Sequence, residues 1–345
     1  MRIVITGASG NVGTALLRRL SRDGHELVGV TRRQPPQVEP YADVRWVRLD
    51  IAEPTAKGRL ADECHGADAL VHLAWLIQPS RDRERLRRVN QDGTATVANA
   101  VQAAGVPHLV HMSSVGTYAR APRGAWMDET WPATGVASSS YSVDKAAAEQ
   151  IVNTVPDTVT VARVRPALIL QAEAASEISR YFLGRLVPVS LLHPALFRFA
   201  PWPRELHLQF VHAEDVAAAL ALILEQRAGG AFNLAAQPPI DRVEARRIFG
   251  GIAPPVPLQL VRGAVDLSWR ARLQPVDAGW VDLGTSVPLM LADRARQELG
   301  WQPQHRADDT LQEFLRALRR REGHPGPLLY PRRLIRRSPT VSNAR

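Results

Sequence analysis

"ITGASGNVGT", residues 5–14, is the stretch on which the reading of the whole chain turns. It follows a short apolar run, RIVIT (2–6), and leads into GTALLRRLSRDG (13–24), where Leu16, Leu17 and Leu20 fall on one helical face. Gly7, Gly10 and Gly13 therefore sit between a strand and a helix, with Ser9, Asn11 and Val12 interleaved. Unpaired N–H groups and the positive end of the helix dipole make such a turn a seat for a pyrophosphate. Glycine is needed where a Cβ would block the turn or the approach of the phosphate. The spacing is G-x-x-G-x-x-G, and no Gly-Lys-Ser/Thr follows, which excludes a P-loop. These residues predict dinucleotide binding.

Working outward, apolar runs at 25–31, 44–50, 67–74, 108–114 and 159–166 alternate with helical patterns, among them a long helix at 83–105 and another at 142–154. Alternation of this kind is the signature of a parallel sheet with crossover helices. The expected fold is α/β: a Rossmann-type doubly wound sheet over residues 1–166, then a smaller, irregular substrate lobe over 167–325. Prolines crowd that second half, yet a helix at 213–226 and a strand at 231–235 are expected, with 205–236 returning to the main sheet. Residues 326–345 read as a basic, flexible tail.

Composition narrows the function classes. The chain has 345 residues, 45% of them apolar, and one cysteine, Cys64, so no internal disulfide can form. A reducing, cytoplasmic setting and no signal peptide are expected. The longest apolar run, Val216 to Leu224, is far short of the roughly 20 residues a membrane span requires. A net charge of +9 invites a nucleic-acid partner, but much of the excess lies in 316–323 and 331–338. Those segments lack interleaved aromatics and any zinc-finger or RNA-recognition spacing, so the reading is against nucleic acid. His72, His111 and His212 have no metal-ligand spacing, and no metal site is expected.

The end of the second strand reads Thr31-Arg32-Arg33, with no acid to bind a ribose 2′-hydroxyl. A guanidinium suits a 2′-phosphate, so Arg32 and Arg33 favour NADP, with NAD as the alternative. The two lysines, Lys57 and Lys145, stand among 43 basic side chains, so a lysine is the exception in this chain. Lys145 lies four residues after Tyr141, on one helical face. Phenol acid–base chemistry near neutrality needs a shift of roughly two to three units from about 10. A compact ammonium favours the phenolate and can also donate to ribose hydroxyls.

Several motifs then occur in order: TGASGNVG, Leu49-Asp50-Ile51, VHLA (71–74), VNQDGT (89–94), MSSVGTY (112–118), YSVDK (141–145), Arg165-Pro166, FVHAEDVA (210–217) and ELGWQP (298–303). From residue 2 to about 315 the chain resembles the extended short-chain dehydrogenase/reductase superfamily, in its NAD(P)-dependent epimerase/dehydratase branch. The resemblance implies hydride transfer between a nicotinamide and a carbinol or carbonyl carbon of a small molecule. Tyr141 would be the acid/base, Lys145 its partner on the ribose, and Ser114 the group orienting the reacting oxygen. Ser113 competes, but the family spacing to Thr117-Tyr118 selects Ser114.

By the same resemblance Asp50 and Ile51 would contact adenine, Leu73 and Ala74 flank the ribose, and Pro166 border the nicotinamide. Asn90 would be a buried structural hydrogen-bonder. A homodimer is compatible with this reading. Departures weaken a nucleotide-sugar assignment: Ala119 follows Tyr118 where glycine is usual, Leu168 replaces a common asparagine, and Gln171 replaces a glycine. The second half instead offers Tyr181, Phe182, Phe197, Phe199 and Trp202, an apolar set compatible with a substrate lobe or a core. Net oxidoreduction, epimerisation or dehydration with retained cofactor, and a non-catalytic NADP sensor or scaffold all stay open at this level.

Overall fold

The computed structural model describes residues 1–182, 202–204 and 206–331. Its centre is a seven-stranded sheet. The strands are β1 (Arg2–Thr6), β2 (Glu26–Thr31), β3 (Arg45–Arg48), β4 (Ala69–His72), β5 (His108–Met112), β6 (Thr160–Pro166) and β7 (Gly230–Leu234). All pairings are parallel, in the order β7-β6-β5-β4-β1-β2-β3. The order reverses between β1 and β4, which opens a crevice at the carboxyl ends of the strands. The seventh strand comes from the second half of the chain: β7 adds to β6 with Phe232 opposite Val164.

The helices used below are α1 (Asn11–Leu20), α2 (Ala56–Cys64), α3 (Gly93–Ala104), α4 (Ser140–Val152), α5 (Ala175–Phe182), α6 (Ala213–Gln226), α7 (Leu258–Arg270), α8 (Ala278–Ser286) and α9 (Ala307–Arg320). Parallel strands need both faces covered, so their apolar runs are nearly continuous. Ile3, Ile5, Val71 and Val164 face a core shared with Leu16, Leu17 and Leu220 from α1 and α6. Val4, Leu70 and Leu109 face the opposite core with Leu60, Val97 and Val101 from α2 and α3. A third core, with Phe210, Phe314 and Leu311, lies beneath α9 in the lobe. Trp202 belongs to it, its Nε1 donating to Leu206 O at 3.0 Å.

Three sequence features acquire structural reasons. The helix expected at 83–105 is interrupted: a five-residue π segment, Arg88–Asp92, separates a short helix at Arg83–Arg87 from α3. That segment turns Asn90 inward, where its Oδ1 accepts from Leu76 N at 2.8 Å and its Nδ2 donates to Leu76 O at 3.2 Å. The FVHAEDVA and ELGWQP motifs meet. Buried Trp301 donates from Nε1 to Asp215 O at 2.8 Å, and the Asp215 carboxylate accepts from the backbone N–H groups of Gln304 and His305. Trp301→Ala should destabilise the protein by about 3–5 kcal/mol, measured by chemical unfolding, because it removes both a large core side chain and that bond.

Six residues read as tail, 326–331, pack instead against both Tyr41 of the sheet half and Arg180 of α5. Leu329 is wholly buried, Arg180 donates to Tyr330 O at 2.7 Å and stacks on its ring, and Gly326 lies tight against Tyr41. Phe197, Phe199 and the rest of the tail lie outside the described residues. Among the described residues no helix is long and apolar enough to cross a membrane.

Candidate active site

One cavity of about 730 Å³ runs from the glycine turn across the strand ends into the lobe. Gly7, Ser9, Gly10, Asn11, Val12, Gly13, Arg32, Asp50, Ile51, Leu73, Ala74, Ser114, Tyr141, Lys145 and Pro166 all line it. Arg33 does not; its exposed side chain lies outside the groove, and its carbonyl accepts from the Thr31 hydroxyl at 3.1 Å. Arg32 forms no ion pair with a described residue, so its guanidinium is available to an anion at this end.

The turn fits a dinucleotide on steric grounds. Gly7 has φ of +74°, and a Cβ there would lie 2.7 Å from Ala74 N. A Cβ on Gly13 would lie 2.4 Å from Ala8 O, so α1 could not approach the turn. Gly10 caps α1 without a side-chain bond, leaving the first-turn N–H groups of the helix facing the cavity. Burial raises the Glu177 carboxyl, which lines the same cavity, to about 7 against the lowering effect of the Tyr181 hydroxyl. This acid therefore presents less than a full negative charge at neutral pH.

At the other end, α4 delivers Tyr141 and Lys145 to the strand ends. Ser142 fixes the start of α4: its hydroxyl donates to Gly116 O at 2.5 Å and accepts from Val136 N at 2.6 Å. Gly116 is necessary here, because its Cβ would fall 2.8 Å from the Tyr141 ring. The Tyr141 phenol lies close to the Ser114 hydroxyl, which accepts from Gly116 N at 3.0 Å. Ser113, the competing serine, is buried and its hydroxyl has no partner among the described residues. Burial pushes the phenol up to about 12, with the Ser114 hydroxyl opposing.

The Lys145 ammonium donates to Met112 O at 2.8 Å and lies 3.6 Å from the centre of the Trp75 ring. Burial lowers it to about 7, with Glu149 opposing. The phenol and the ammonium thus line one wall, each with its own partner: Ser114 for the phenol, Met112 O and an indole face for the ammonium. Burial thus raises the phenol, where the spacing suggested a lowering, because desolvation outweighs the effect of the Ser114 hydroxyl.

Behind this wall is a buried network. Arg165 holds Glu149 through two bonds, Nε at 2.9 Å and Nη2 at 2.6 Å, and also donates to Tyr118 Oη at 3.1 Å and Glu129 O at 3.0 Å. Tyr118 in turn donates to Asn233 Oδ1 at 2.6 Å. The network ties α4 to β6 and β7 one residue from Pro166, and so sets the height of Tyr141 against the groove.

The histidines are held in structural positions. His72 bonds Thr6 and Thr94, and burial lowers it to about 3, so it is neutral. His111 is buried beside it, and burial holds it well below the usual range. His212 accepts from Glu214 N at 3.2 Å and caps α6.

Trp75, Trp280, Gly116 and Leu328 also shape the cavity and were not singled out in the sequence. Trp75 packs edge-on to Tyr141 with ring centres 6.2 Å apart, and Trp280 lies 5.0 Å away on α8. Trp75 follows VHLA directly, so the motif pointed to its neighbourhood. Trp280 comes from beyond residue 250, and no local signal links it to Tyr141. Leu328 lines the phosphate end, 3.7 Å from where a Gly10 Cβ would be.

With this geometry in place, likeness to known proteins can be stated. The sequence pattern of the NAD dependent epimerase/dehydratase family matches residues 3–235. The chain belongs to that family. It is 28% identical over 325 residues to an uncharacterised protein of Mycobacterium tuberculosis, covering 94% of this chain and 31% of that protein. It thus spans less than a third of the length of the first curated relatives it matches. It is 31% identical over 221 residues to the ceramide reductase of Caulobacter vibrioides, covering 63% of this chain and 59% of that enzyme. Among solved structures, MoeE5 in complex with UDP-glucose and NAD aligns with a TM-score of 0.66 at 21% identity, covering 93% of this chain and 99% of that one. That likeness shows the shared fold: an epimerase/dehydratase-type Rossmann sheet with its lobe.

Proposed function

We propose that this chain is an NADP-preferring oxidoreductase that interconverts a carbonyl and a carbinol. One observation carries the reading: the glycine turn and the Ser114–Tyr141 hydroxyl pair open into a single cavity, with Lys145 on its wall. A nicotinamide, when bound, supplies or accepts the hydride.

The protein's own residues handle the proton and the geometry. Tyr141 donates its phenolic proton to the substrate oxygen as negative charge develops there, or takes the proton back in oxidation. A phenol raised by burial suits the reducing direction. Ser114 shares the hydrogen bond to that oxygen and fixes its position. Lys145, when charged, lowers the cost of leaving a phenolate behind. The Trp75 ring and the Met112 carbonyl hold its ammonium in place. The first-turn N–H groups of α1 and the Arg32 guanidinium receive phosphate charge. The ceramide reductase relative supports net reduction, and the structure containing UDP-glucose supports a second reading, epimerisation with the cofactor retained.

Incubation with NADPH and a panel of carbonyl compounds distinguishes the two. Net oxidation of NADPH is expected; a tightly retained cofactor without net turnover would favour the epimerase. Arg32→Ala should weaken NADPH binding by about 10- to 100-fold, the worth of one charge-assisted contact, and leave NADH binding within about twofold. Equal loss for both cofactors, read by titration, would remove the NADP preference.

A further inference from the structure

We infer that the substrate is an apolar ketone or secondary alcohol bearing an extended hydrocarbon, and not a nucleotide sugar. The inference deepens the oxidoreductase reading and rests on it.

The part of the cavity beyond Tyr141 is walled by Trp75, Trp280, Phe182, Leu206, Leu283 and Leu168. Trp280 meets the Tyr141 ring at 5.0 Å and 34° and the Phe182 ring edge-on at 5.0 Å. The reactive phenol thus emerges from an aromatic cluster. Of the polar side chains lining the cavity, Thr285, Gln209 and the Tyr181–Glu177 pair are committed, whereas the Trp75 indole N–H and the Ser113 hydroxyl have no partner among the described residues. Thr285 donates to Val281 O of its own helix at 2.8 Å, while Gln209 accepts from Met290 N at 2.7 Å and donates to Met290 O at 3.2 Å. Among the described residues, the cations lining the cavity are Lys145, engaged by Met112 O and the Trp75 ring, and Arg32, at the phosphate-turn end. Among the described residues a sugar diphosphate would meet no cationic clamp on this side and, for its several hydroxyls, few uncommitted partners beyond the Trp75 indole N–H and the Ser113 hydroxyl; each hydroxyl left unpaired weakens binding. A hydrocarbon meets surfaces that gain by being covered.

In the reducing direction, hydride adds to the carbonyl carbon and the Tyr141 proton to its oxygen. The C=O π bond is lost and the reduced nicotinamide is oxidised. Oxidation of the alcohol is the same exchange reversed.

The test uses the full chain with NADPH and with NADH. The substrates are 2-butanone, 2-hexanone, 2-decanone and 2-tetradecanone, a fused-ring ketone, and UDP-glucose in a separate arm. Expected is a rise in kcat/KM of about two- to fourfold per added methylene until the chamber is filled. The fused-ring arm distinguishes a linear from a polycyclic skeleton. Trp280→Ala should flatten the slope. Chain-length-independent turnover, or turnover of UDP-glucose, overturns the substrate class and leaves the oxidoreductase reading standing. If no arm turns over, that reading fails on its own, and quenching of tryptophan emission decides the present one. Saturable quenching that strengthens with ketone length supports an apolar site, and quenching by UDP-glucose instead overturns it.

Discussion

Glu149→Ala is expected to destabilise the protein by about 3–5 kcal/mol, although Glu149 does not line the cavity. Glu149 and Arg165 are both buried and joined through two bonds, 2.6 and 2.9 Å long. Burial alone would lower the guanidinium; the Glu149 carboxylate outweighs it and holds Arg165 raised. Removing the acid leaves a desolvated cation whose remaining partners, Tyr118 Oη and Glu129 O, are neutral. Replacing both members of the pair by methionine should recover much of the loss, because the uncompensated charge goes with the arginine. Urea unfolding of the two single variants and the double variant checks this. A single-variant loss below about 1 kcal/mol would mean that the network is not what holds α4 against β6.

Tyr141→Phe should lower turnover by about 10²- to 10⁴-fold, the usual contribution of a positioned acid/base, while cofactor affinity stays within about twofold. The ring remains to pack against Trp75 and Trp280, so the variant removes the hydroxyl beside Ser114 without emptying the site. Lys145→Met should differ in kind, losing cofactor affinity as well as rate. Steady-state kinetics beside a binding titration separates the two. Full turnover by Tyr141→Phe would take the proton away from this phenol.

Much of this arrangement could be read from the residues because the Rossmann half is built from local signals. Strand, glycine turn and helix follow one another within residues 2–20, and a positive φ at residue 7 leaves little choice but glycine. Tyr141 and Lys145 sit on one helix, and both line the cavity. The electrostatics were less legible. Spacing suggested an ammonium lowering a phenol, whereas burial, which no sequence pattern measures, raises the phenol and lowers the ammonium. Arg33 looked equivalent to Arg32 in sequence, yet consecutive residues at a strand end point to opposite sides, and Arg32 is the one that lines the groove. The aromatic cluster was hidden for a different reason. Trp280 is 139 residues from Tyr141 and meets it only because α8 packs over the start of α4, where Gly279 lies against Ser138 O. The π segment around Asn90 was equally invisible, since a single widened turn leaves the helical periodicity of 83–105 almost intact.

The central claim is that a nicotinamide lies beside Tyr141, within the cluster that includes Trp75 and Trp280. Its most direct test is titration with NADPH, and separately with NADH, under tryptophan excitation. The expected result is saturable quenching with sensitised nicotinamide emission, reduced in Trp280→Phe and retained in Tyr141→Phe. Absence of any saturable signal with either cofactor would contradict it.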